Sequence, residues 1–112
     1  MSRTVAVRYL FNRTCPSHEA GLELLLRAGR AAGVAIDLEV HEVTADEEAE
    51  RLRFGGSPTY LVAGRDIAAL PQDVPFAAES CRAYRLQGGR IGPLPDIDDL
   101  VAALAAAEGE TA

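Results

Sequence analysis

Lysine is absent from the chain. All eleven positive side chains are arginine, scattered from Arg3 to Arg90 with no basic stripe. Against seventeen acidic residues they leave a formal charge of −6. A nucleic-acid partner needs a basic face, so that class is excluded. Cysteine and histidine number two each, too few for a closed four-ligand zinc site once His41 falls on the polar face of a strand. Long hydrophobic runs are missing, so nothing approaches the length that spans a bilayer. The first apolar stretch, Val5 to Phe11, is interrupted by Arg8 and does not read as a secretory leader. The expectation is a cytoplasmic protein with no membrane partner. In a reducing compartment two cysteines read as a reactive thiol, a metal ligand or core filler rather than a structural staple. Repeats and low-complexity segments are absent too, and Gly55-Gly56 and Gly88-Gly89 match no phosphate-binding spacing.

What is present is enough for one core. The 112 residues are 48% apolar, which suits a single domain over 1–112 with its core at about 3–107. Thr4 to Phe11 (TVAVRYLF) is β-branched and aromatic and nearly all apolar, the pattern of an interior strand covered on both faces. A polar loop, Asn12 to Thr14, leads to Cys15-Pro16. Proline is favoured at the first helical position, so a helix is predicted from about Pro16 to Ala32 with Cys15 as its N-cap. Leu22, Leu25, Leu26 and Gly29 form its apolar stripe, and Gly33 is its C-terminal cap.

Ile36 to Val43 alternates apolar and polar residues, as a strand at a sheet edge does. Thr44 with Glu47 has capping-box spacing and predicts a helix over about Ala45 to Phe54. Gly55-Gly56 stops it, and Ser57-Pro58 leads into a strand, Thr59 to Ala63. Gly64 to Glu79 reads as an ordered loop with Pro71 and Pro75. Cys81 to Leu86 is the last strand, and a helix follows from about Asp96 to Ala107 with Leu100, Val101 and Leu104 buried. Glu108 to Ala112 is expected to fray. The class is α/β, in the order β-α-β-α-β-β-α, opening with a parallel, right-handed β-α-β unit. If the last two strands form an antiparallel hairpin, Cys81 pairs near the far end of the third strand. At about 3.3 Å per residue that is roughly four to five residues from Cys15, beyond disulfide reach.

This order, with these punctuation residues, resembles the thioredoxin and glutaredoxin superfamily. Cys15-Pro16-Ser17-His18 follows the first strand where the family has Cys-x-x-Cys. Gly56-Ser57-Pro58-Thr59 opens the third strand where the family has its cis-proline. Ile91-Gly92-Pro93-Leu94 and the Leu100/Leu104 helix look like its closing segment. The chain looks closest to small bacterial thioredoxin-like proteins with a Cys-Pro motif, a Gly-Ser-Pro-Thr turn and a Cys-Arg-x-Tyr-Arg strand, some of them linked to mercury chemistry. The resemblance implies a four-stranded mixed sheet with helices on both faces. It also implies a cis bond at Pro58, and a substrate seat at Pro16, Ser57, Pro58 and Thr59 in which the residue before the proline pairs its backbone with an extended substrate. One departure stands out: His18 replaces the second motif cysteine, so no local disulfide can close.

The chemistry expected of Cys15 follows from its place, exposed at a helix start, where unpaired amides and the helix dipole favour an anion. His18, if protonated, would add to that. The resulting expectation is monothiol thiol-disulfide chemistry, an oxidoreductase activity needing no cofactor. Cys15 would attack a disulfide or a low-molecular-weight thiol adduct, and a second thiol would resolve the product. Cys81 is weighed as a resolving thiol and as a buried core cysteine. Two alternatives stand beside this reading. One is soft-metal binding (copper, zinc or mercury) by Cys15, His18 and Cys81. The other is a thioredoxin-like binding module without catalysis.

Overall fold

The first strand, β1 (Thr4–Phe11), is the element on which the others are laid. A computed structural model of the chain describes residues 4–70 and 72–110; Arg3, Pro71 and the last two residues of the predicted frayed end lie outside the described residues. Parallel to β1 runs β2 (Ala35–Glu42), in register from Thr4 against Ala35 to Phe11 against Glu42. Antiparallel on its other side is β3 (Thr59–Val62), with Leu10 against Thr59 and Val7 against Val62. A two-residue turn, Ala63-Gly64, with φ of 52° and 82°, then returns the chain as β4 (Arg65–Asp66). Positive φ at both central residues is the geometry that suits a hairpin's twist. The four-stranded mixed sheet has the order β2-β1-β3-β4, and β2 is at an edge, as its alternation predicts.

The fourth strand is therefore not Cys81 to Leu86. Alanine is an uncommon first residue for such a turn, so the sequence concealed the tight hairpin and the sheet edge went to a later segment. Of that segment only β5 (Tyr84–Arg85) is a strand, paired in a separate two-stranded sheet with β6 (Ile91–Gly92). Cys81 itself makes an isolated parallel bridge to Ser57.

Helices cover both faces, unequally. On one face α1 (His18–Ala32) and α3 (Ile97–Glu110) pack on Val5, Val7, Tyr9 and Tyr60 through Leu25, Ala28, Leu100 and Leu104. On the other, α2 (Asp46–Leu52) joins Leu10, Val43, Phe54 and Ala78 in a smaller cluster. Thr4 and Ala6 stay exposed, so β1 is covered on both faces only at its C-terminal end. That is the end from which the candidate site is built. In α1 the buried stripe is Gly21, Leu25, Ala28 and Gly29, while Leu26 remains 42% exposed. The stripe keeps Leu25 and Gly29 of the predicted one, with Gly21 and Ala28 taking the buried places expected of Leu22 and Leu26. Gly33 caps the helix in the left-handed region, as predicted. In α3 the last turn reaches Glu110, past the predicted end. Among the described residues no helix is long and apolar enough to cross a membrane.

Two contacts set the start of α1. The Tyr9 hydroxyl donates to the His18 carbonyl, and the Tyr60 hydroxyl donates to the Gly21 carbonyl at 2.7 Å. Burial raises both phenols well above their usual range, the Cys15 sulfur adding a smaller push in the same direction, so both remain donors. A Cβ on Gly21 would stand 2.5 Å from the Tyr9 oxygen and 3.0 Å from the Tyr60 oxygen. Gly21→Ala gains about 1 kcal/mol of helix propensity but overpacks a filled site at a cost of about 1–3 kcal/mol. The expected result is a net loss of about 1 kcal/mol in urea unfolding, against the direction that propensity alone dictates.

The Thr44/Glu47 capping box does not form: Ala45 is the N-cap of α2 and no side chain caps it. Glu48 acts instead from the next position, accepting the Thr44 N–H at 3.1 Å and bonding His41 Nε2 at 2.8 Å. The His41 bond first, then the Thr44 N–H, holds the Glu48 carboxyl below its ordinary value of 4.5. A carboxyl lowered on folding contributes stability above its unfolded value and loses it as pH falls through the folded one. Glu48→Gln is therefore expected to be less stable than the parent at about pH 7, with the gap closing in denaturant midpoints as pH drops below that ordinary value.

Candidate functional site at the Ser57-Pro58 turn

Asn12 ends β1 as a buried polar residue, and its groups organise the loop that follows. Its backbone N–H donates to Ser57 Oγ at 3.1 Å and its Nδ2 to the Ser80 carbonyl at 3.0 Å. Its Oδ1 accepts from Thr14 Oγ1 at 3.0 Å, and its carbonyl accepts the Cys15 N–H at 3.2 Å. Asparagine favours such local turns, which is the signal that could have singled it out; its bonds to Ser57 and Ser80, far along the chain, had none.

The loop Asn12 builds turns Cys15 inward. Cys15 is 6% exposed, and its Sγ donates to the Ser57 carbonyl at 3.7 Å. This corrects the expectation of an exposed sulfur at a helix N-cap. The helix starts at His18 with Ser17 as N-cap, because residues 12–18 are spent on turns closed by Cys15 N–H to Asn12 O and His18 N–H to Cys15 O. Pro16 is exposed on the outside of that turn and not at the first helical position. The His18 ring lies flat on Phe11, with centroids 4.5 Å apart and planes 13° apart, so it is shaped by packing.

Ser57, Pro58 and Thr59 are all buried, and the Ser57-Pro58 bond is cis. The Ser57 N–H donates to the Ser80 carbonyl at 3.0 Å, and its carbonyl accepts the Arg82 N–H at 3.1 Å. The expected open backbone edge for an extended substrate is thus occupied by the chain's own residues 80–82. Gly56 permits this approach: a Cβ there would stand 2.6 Å from the Arg82 nitrogen and 2.6 Å from the Cys81 carbonyl carbon. The Pro58 carbonyl accepts the Tyr84 hydroxyl at 2.6 Å, and Thr59 Oγ1 donates to the Gly56 carbonyl at 2.6 Å.

Cys81, in the middle of that segment, is exposed. The sequence pattern placed it beyond reach of Cys15 because it suggested the wrong hairpin; the bridge to Ser57 instead brings both cysteines to the same residue. Arg82 is the anchor that the sequence pattern did not reveal. Its guanidinium forms a paired contact with Asp66 at 2.9 and 3.0 Å, donates to Thr59 Oγ1 and the Ala68 carbonyl, and lies over the Tyr84 ring. A nearly buried arginine in this fork geometry fixes orientation as well as charge.

Comparison with protein-family models, with curated proteins and with solved structures found no match. Among the described residues no three His, Cys, Asp or Glu side chains converge on a point a metal could occupy, so Cys15, His18 and Cys81 do not form the soft-metal triad weighed from sequence. A cavity of about 320 Å³ lined by Asn12, Arg13, Thr14, Thr44, Ala78 and Glu79 flanks the loop that carries Cys15.

Removing Arg82 strands the Asp66 carboxylate and frees residues 80–82. Arg82→Met is expected to lower stability by about 3 kcal/mol. By hydrogen exchange, the Ser57 amide should lose protection more than amides at the centre of β1, which separates a local release from general weakening.

Proposed function

We propose that this chain is a thioredoxin-like protein that carries out thiol-disulfide exchange at the Ser57-Pro58 turn, with a disulfide or low-molecular-weight thiol adduct as substrate. One observation carries the reading: the only two cysteines of the chain meet at one residue. Cys15 contributes its sulfur, 3.7 Å from the Ser57 carbonyl, and Cys81 its backbone, bridged to Ser57. The thioredoxin-like assignment is supported by the sheet order β2-β1-β3-β4 with three helices, and by the Gly56-Ser57-Pro58-Thr59 turn beside Cys15-Pro16.

The monothiol version, with Cys15 facing solvent and acting alone, fits poorly with a residue only 6% exposed. Attack on a disulfide needs access as well as thiolate, and access belongs to Cys81. The exchange is therefore assigned to the Ser57 turn as a unit.

Folded protein incubated with oxidised glutathione should lose free thiol while reduced glutathione appears in equal measure. Persistence of both thiols in the folded protein, with rapid reaction of the same chain in urea, would mean that the fold shields its cysteines and that the reading is wrong.

A further inference from the structure

Resting on the reading that the Ser57 turn exchanges disulfides, we infer that the two cysteines act in a fixed order. Cys81 takes the incoming disulfide, and Cys15 resolves it, leaving an internal Cys15–Cys81 disulfide across the turn. Three independent features support this order.

The first is access. Cys81 is exposed and Cys15 is buried, and a disulfide substrate must reach the sulfur it reacts with. The second is direction. Residues paired in a parallel ladder send their side chains to the same side of it. Ser57 sends its hydroxyl to the Asn12 N–H, so Cys81 faces the side on which the Asn12–Cys15 loop lies. The third is proximity. The carbonyl oxygen that receives the Cys15 thiol also accepts the N–H of Arg82, the residue after Cys81. One carbonyl group thus lies between the Cys15 sulfur and the backbone that carries Cys81. A disulfide between the two cysteines joins Cα atoms about 4.4–6.8 Å apart. Closing it requires rotation of the two side chains and a local release of residues 80–82 from Ser57.

Atoms and electrons balance over two steps. The Cys81 thiolate attacks one sulfur of R–S–S–R, forming Cys81–S–S–R and releasing RS⁻, which takes up the proton Cys81 lost. The Cys15 thiolate then attacks the Cys81 sulfur. The bond between Cys81 and R–S breaks, and the second RS⁻ leaves with the proton from Cys15. Two protein thiols have given two electrons and two protons to the disulfide, which becomes two R–S–H. Low-molecular-weight thiols reverse both steps and restore the reduced pair.

Time-resolved mass spectrometry with oxidised glutathione as probe tests the order on the full chain, on Cys15→Ser and on Cys81→Ser. Circular dichroism establishes that each variant is folded, with Cys15→Ala replacing Cys15→Ser if the serine is not accommodated. The parent should show a transient glutathione adduct on Cys81, followed by a species lighter by two hydrogens with Cys15 joined to Cys81. Cys15→Ser should stop at the Cys81 adduct, and Cys81→Ser should form its Cys15 adduct at least about tenfold more slowly. If Cys15 in Cys81→Ser reacts as fast as Cys81 in Cys15→Ser, or if the parent stops at an adduct without an internal disulfide, the order is overturned while exchange at this turn stands. If no variant reacts when folded, both fall.

Discussion

Every hydrogen-bonding group of Ser57 is engaged, and the partners come from two separate stretches of chain. Its hydroxyl accepts from Asn12, its N–H donates to Ser80, and its carbonyl accepts from both Arg82 and Cys15. A buried backbone group left without a partner costs roughly what a hydrogen bond contributes, so neither of these stretches can move away without leaving a group unsatisfied. The end of β1, the turn before β3 and the segment before β5 are therefore fixed relative to one another at a single residue. The site is built where they meet.

Around that residue the support is of two kinds. Tyr9 and Tyr60 carry the beginning of α1 on hydroxyl-to-carbonyl bonds, over a glycine small enough to let them approach. Arg82 clamps the other side, tying residues 80–82 to β4 through Asp66 and to the start of β3 through Thr59. Buried ion pairs contribute little net stability against an apolar replacement, but they do fix geometry. Here the fixed geometry is the occupied backbone edge of Ser57. The position that would receive an extended substrate holds a piece of the chain that itself carries a cysteine.

That arrangement divides access from burial between two sulfurs. Cys15 has a carbonyl partner and almost no contact with solvent; Cys81 has solvent and a backbone held in place. The resemblance to thioredoxins would put a second cysteine at position 18, where this chain has His18; the chain's other thiol, from a distant part of the sequence, has its backbone beside the turn. His18 serves the packing of the helix start, with its ring on Phe11 and its carbonyl receiving the Tyr9 hydroxyl.

Local chemistry in the sequence determined much of this protein. β-Branched and aromatic runs set β1 and β3, alternation marked β2 as an edge, and Gly33 ended α1, because each depends on residues within a few positions of one another. The cysteine before a helix and the Ser-Pro turn were legible for the same reason. Only the tertiary structure decided which way Cys15 faces, which strand completes the sheet and where Cys81 goes. A turn closed on Asn12 rolls the sulfur inward, an Ala63-Gly64 hairpin takes the sheet edge, and Gly56 and Arg82 seat residues 80–82 on Ser57. The hairpin is local, but its Ala-Gly turn is not a common signal; the anchoring of Asn12 and the seating of residues 80–82 rest on contacts between residues 16 to 68 positions apart, a range at which one-dimensional periodicity carries no signal.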